Sequence, residues 1–106
     1  MITTYPFYFQ YQVRPTSENG GYSDLSGAIA TVMVFAEDLE LARARAGRHV
    51  ARHHWEIIEV KRTMMVRRHH VENMEGILRS IYKKAEQSGV AAVFDGWSSS
   101  GARVQG

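Results

Sequence analysis

All five histidines and eight of the thirteen Lys and Arg residues fall between positions 43 and 70. The flanks differ sharply. Residues 1–42 hold one Arg against five acids, and residues 71–106 hold four basic groups against four acidic ones. A net charge of +2 therefore hides a segment of net +6, which raises the expectation of an anionic partner well above what the total implies.

Three chemistries follow from that segment. His49 and His53 are spaced i, i+4, a workable separation for two metal ligands on one helical face. The residues after His49 are Val50, Ala51 and Arg52, so the HExxH pattern of zinc hydrolases is absent, and the chain has no cysteine to supply a thiolate. No metal or other cofactor is expected, and His49 with His53 is the pair that would hold one. Arg45, Arg48 and Arg52 recur on one helical face as an exposed ridge. Lys61, Arg62, Arg67, Arg68, His69 and His70 follow further along. If the two groups converge they form a basic surface for an acidic protein or for a phosphate backbone. Histidines at both ends would make that surface sensitive to pH. Tyr8 and Trp97 could stack on bases, but the paired aromatic motif of RNA-recognition sheets is missing.

Signatures of catalysis are absent. There is no GxSxG elbow, no phosphate-cradling glycine loop and no close carboxylate pair in a plausible pocket. Ser98, Ser99 and Ser100 lie in a stretch expected to be a flexible tail, which cannot hold a nucleophile in place. No catalytic residue is assigned.

The elements that must position these groups read as follows. Phe7, Phe9, Tyr11 and Val13 alternate with Tyr8, Gln10 and Gln12, the period of a half-buried strand over 5–13. The polar stretch 16–27, with Asn19-Gly20-Gly21, reads as a long hairpin loop and a candidate binding loop. Residues 28–36 form a strand apolar on both faces, as central or doubly covered strands are. A helix should start after Asp38, whose carboxylate can accept from the free N–H groups of the first turn. Its inward stripe is Leu39, Ala42, Ala46, Val50 and His53. A third strand over 55–66 turns Ile58 and Val60 inward, and a parity change near Thr63 suggests a bulge. A second helix over 72–88 carries Met74, Ile77, Leu78, Ile81 and Ala85 on one stripe and stops at Gly89. A last strand spans 90–94.

The order ββαβαβ predicts a single α/β two-layer domain over 1–97 with a flexible tail over 98–106. Right-handed crossovers would place both helices on one face of a four-stranded mixed sheet. This architecture resembles the broad ferredoxin-like group of α/β plaits, with a permuted element order. Such folds host many unrelated functions. With one helical layer, Tyr8, Ile29, Met33 and Phe35 would face away from the helices as an apolar patch suited to a homodimer.

No apolar run approaches the length that spans a bilayer, and the N-terminus lacks the pattern of a secretory signal. Together with the absence of cysteine, this predicts a soluble, cytoplasmic protein with no membrane partner. The sequence thus points to a small non-enzymatic interaction module, the expected partners being a second copy and an acidic protein. Nucleic-acid binding is the alternative, and a small enzyme using a cleft His or Tyr is the second alternative.

Overall fold

A computed structural model describes residues 3–19, 25–98 and 103–105. In chain order the elements are β1 (Tyr5–Pro15), β2 (Leu25–Ala36), α1 (Leu39–Arg52), β3 (Trp55–Met65), α2 (Arg68–Glu72), α3 (Gly76–Ser88), β4 (Val90–Ser98) and β5 (Arg103–Gln105). They build one sheet of order β3-β1-β2-β4-β5 in which every neighbouring pair is antiparallel. Among the described residues no helix is long and apolar enough to cross a membrane.

The mixed, ferredoxin-like ββαβαβ plait is therefore corrected. β2 and β3 run the same way, but β1 lies between them. β4 runs antiparallel to β2, so the β3-to-β4 connection is not a parallel crossover and the right-handed rule does not govern it. The helices consequently lie on opposite faces. Phe7, Phe9, Tyr11 and Val13 of β1 and Ala28, Ala30, Val32 and Val34 of β2 pack against Ala42, Ala46 and Val50 of α1. Met33, on the other face of β2, packs with Ile81 and Ala85 of α3, Ala91 of β4, and Val66 and Met74. The double apolar character of β2 reports this double cover.

Local signals account for most of the element boundaries. Leu41 N–H donates to Asp38 Oδ1 at 2.8 Å, the expected cap of α1. Ala42, Ala46 and Val50 are fully buried, whereas Leu39 and His53 lie at the exposed ends of the helix. The helix expected over 72–88 begins only at Gly76, as α3, and the short α2 ends before it at Glu72. Gly76, the first residue of α3, has a left-handed φ of +59°. Ile77 is consequently exposed, and Leu78, Ile81 and Ala85 carry the inward stripe of α3. In β3 two register shifts, between Gln10 and Tyr11 and between Gln12 and Val13 of its partner, leave Lys61 and Ile58 as extra residues. Ile57 rather than Ile58 then joins the core, and Ile58 and Val60 are exposed.

The turn from α1 into β3 is tied to the end of β1. His54 has a left-handed φ of 64°. Thr16 N–H donates to its carbonyl at 3.0 Å, as does the side-chain amide of buried Asn19, also at 3.0 Å. The centre of the candidate loop, residues 20–24, lies outside the described residues. In the 98–106 stretch expected as a tail, Arg103–Gln105 pairs with Asp95, Gly96 and Trp97.

Candidate functional site

The basic residues of α1 are held along the outer edge of β4. Arg45, Arg48, His49 and Arg52 line a cleft of about 460 Å³ together with Ser88, Gly89 and Val90. A hollow of about 270 Å³ adjoins it and is lined by His49, His53, Trp55, Lys84, Val90, Ala91, Ala92 and Phe94. His49 and Val90 belong to both, so the two form a continuous trough. Among the described residues no acidic side chain lines either part. α1 and α3 lie on opposite sheet faces, so Lys84 approaches the strand edge from the side opposite the arginines.

The members differ in how free they are. Arg45 Nη1 donates to Phe35 O at 2.9 Å, which commits that guanidinium to holding α1 against β2. Arg48 and Arg52 are exposed, and neither they nor Lys84 form an ion pair among the described residues. His49 titrates below the ordinary imidazole range, first because of burial and then because of His53, Arg52 and Lys84. Those positive groups therefore act on one point. His49 and His53 have ring centroids 4.6 Å apart, yet no group of three or more His, Cys, Asp or Glu that could hold a metal gathers among the described residues. The Trp55 and Phe94 rings stack at 5.2 Å and 7°, which covers one face of each; Trp55 is otherwise buried and Phe94 half-buried.

The strand edge is the part that sequence reasoning missed. Phe35 N–H donates to Gly89 O at 2.9 Å. By the alternation of an antiparallel ladder, the main-chain groups of Val90, Ala92 and Phe94 then point outward. Ser88 Oγ donates to the Val90 carbonyl at 2.9 Å. β5 covers β4 only from Asp95 to Trp97, so residues 90–94 have no outer strand among the described residues. The sequence signal was available: Val90-Ala91-Ala92-Val93-Phe94 has no charge, proline or glycine to blunt an edge. β3, the opposite edge, is blunted by two bulges, by Arg62, and by Lys61 and Glu59 paired at 3.1 Å.

The second basic group does not join the first. β3 and β4 are three interstrand steps apart, about 14 Å. Lys61 and Arg62 lie on β3, Arg67 caps α2, and Arg68, His69 and His70 form its first turn. Arg62, His69 and His70 instead line a separate cavity with Tyr8, so the Tyr and His of the cleft alternative do meet there. The other expected aromatic, Trp97, lies across the strand from Gly27, and a Cβ built there would come within 2.7 Å of the indole.

The expected dimer face is largely covered. Met33 is wholly buried, Phe35 packs edge-on against Tyr82 at 5.3 Å, and Tyr8 packs on the same cluster. Ile29 is half-buried on the same sheet face. Large exposed apolar side chains sit elsewhere, notably Ile58, Val60 and Met65 along β3. Compared with known protein families, with curated proteins and with solved structures, the chain matches none of them.

Proposed function

We propose that the protein is a non-enzymatic binding module that takes an acidic, extended polypeptide segment along the outer edge of β4. One observation carries the reading. An unblunted apolar strand edge is flanked on one side by Arg48, His49 and Arg52 and on the other by Lys84, with no acid among the described residues lining the trough. An added strand gains main-chain hydrogen bonds from the outward groups of β4, and its acidic side chains meet the flanking cations. β5 supports the idea, because this same edge already accepts a strand at Asp95–Trp97. A polypeptide is favoured over a nucleic acid because the trough presents a strand edge, while Trp55 is buried and Phe94 keeps one face against it instead of pairing with a second exposed ring for bases. A second copy placed edge to edge at β4 would bring like-charged flanks together. Homodimerisation, the second reading, would then rest on the exposed side chains Ile58, Val60 and Met65 of β3 and not on strand pairing, which the bulges there oppose.

The test is anisotropy of a short labelled peptide alternating Glu with Val, against the native protein and two variants. Arg48→Glu with Arg52→Glu should weaken binding at least about tenfold. Ala92→Pro should abolish it while leaving every charge in place, since proline removes only an outward N–H and is tolerated at an edge. Binding that survives Ala92→Pro would reduce the trough to a nonspecific basic surface. Tight capture of single-stranded RNA with a steep salt slope would favour the nucleic-acid alternative instead.

A further inference from the structure

The cavity at the opposite corner of the sheet has a different composition. It measures about 350 Å³, within the range of small-molecule sites, and lies between β1, β3 and the α2–α3 segment. Met64, Val66, Met74 and Leu78 give it apolar walls, and Tyr8 lines it with a hydroxyl that bonds to no described residue. Arg62, His69, His70, Asn73 and Glu75 supply its polar lining.

Those polar groups are not equivalent. Asn73 Nδ2 donates to His69 O at 2.8 Å, which uses that amide to close α2. Arg67 N–H donates to His70 Nδ1 at 3.1 Å, which assigns the ring proton to Nε2 and leaves Nε2–H as the free donor. His70 also titrates below the ordinary imidazole range, through desolvation first and then the positive His69, Arg67 and Arg62. Arg62 is therefore close enough to act on the ring. Neither Arg62 nor Glu75 has an ion pair among the described residues. An unpaired guanidinium, an imidazole N–H donor and a phenol therefore share one cavity with a large apolar wall.

We propose that this cavity is a binding site for a small carboxylic acid with an aromatic or branched apolar body. The body lies among Met64, Val66, Met74 and Leu78. The carboxylate meets Arg62, whose planar fork suits it, with His70 and Tyr8 as further donors. Glu75 decides whether the ligand also carries an ammonium group beside its carboxylate. The proposal is independent of the β4 edge, because the two sites share no lining residue.

The test uses 3-phenylpropionate, 3-phenylpropanol and phenylalanine, which share a body and differ in charge, followed by NMR on the whole protein. The expected result is a saturable shift of the Tyr8, Met64, Met74 and Leu78 resonances by at least one acid. The alcohol should bind at least tenfold more weakly. Arg62→Gln, an exposed change that should keep the fold, should weaken the acid about tenfold or more, with unchanged circular dichroism as the control. A preference for phenylalanine that disappears in Glu75→Gln would add an ammonium to the ligand, and a preference for 3-phenylpropionate would exclude one. Equal binding of acid and alcohol, indifference to Arg62→Gln, or no shift at the cavity would each overturn the assignment.

Discussion

Met33 is where the expected dimer face and the observed core make opposite demands on one side chain. It is wholly buried in the second core, against Val66, Met74, Ile81, Ala85 and Ala91. Met33→Ala removes most of that side chain from a packed site, and such truncations cost about 2–5 kcal/mol in transfer and cavity terms. Ala85 and Ala91 are too small to collapse into the space, so a value of about 3 kcal/mol is expected. That is a large part of the roughly 5–15 kcal/mol that holds a domain of this kind folded. With an m-value near 2 kcal/mol/M in urea, the midpoint should fall by about 1.5 M. Tm should fall by roughly 12 °C, at about 4 °C per kcal/mol for this size. The assay is urea unfolding followed by circular dichroism at two protein concentrations, with light scattering on the folded samples. The reasoning predicts the same loss of midpoint at both concentrations and a molecular mass equal to that of the native protein. A loss under about 1 kcal/mol accompanied by dissociation of an oligomer would show that Met33 lies in an interface and that α3 does not cover it.

Three further outcomes are expected. His54→Gly should raise stability by about 1 kcal/mol, because a side chain at a φ of 64° is strained, while its contact with Glu18 at 3.5 Å is exposed and contributes little; calorimetry reads the change. Burial pushes the Tyr11 hydroxyl up to about 12 against its ordinary 10.0, with Arg43 opposing, so the neutral form is favoured in the folded chain. Its stabilisation is complete below pH 10 and is lost as pH rises through 12, about 2–3 kcal/mol that Tyr11→Phe should remove from an alkaline unfolding curve. His49 shifts the other way: its folded value is depressed, so stability should be greatest above about pH 6.5 and fall on acidification through the lowered value. In His49→Gln that part of the acid slope should flatten, and an unchanged slope would place the effect on another group.

The candidate trough was half legible. The spacing of Arg45, Arg48, His49 and Arg52 put them on neighbouring turns of one helix, and the acidic cap at Asp38 located that helix. Nothing local could say that α1 would end beside β4, or that Lys84 would come from the other face to the same edge. The convergence expected between this group and Lys61, Arg62, Arg67 and Arg68 failed for the same reason, since it depends on which strands are neighbours. The cavity at Tyr8 was less visible still. Its lining joins β1, β3 and the α2–α3 segment, where the chain leaves helix after Glu72 and re-enters it at Gly76.

What the chain alone determined is what depends on near neighbours. The alternation of Phe7, Phe9, Tyr11 and Val13, the Asp38 cap, and the Ala42, Ala46 and Val50 stripe each follow from the period of one element and held in the structure. Tertiary structure decided the direction of β4, and with it the side on which α3 packs. An apolar strand such as β2 satisfies its two faces equally well with helices on one side and a partner on the other, or with a helix on each. Only pairing between residues far apart in sequence, Val34 with Val90 and Ala30 with Phe94, distinguishes the two. That pairing turned an expected open face into a core and an overlooked strand edge into the candidate site.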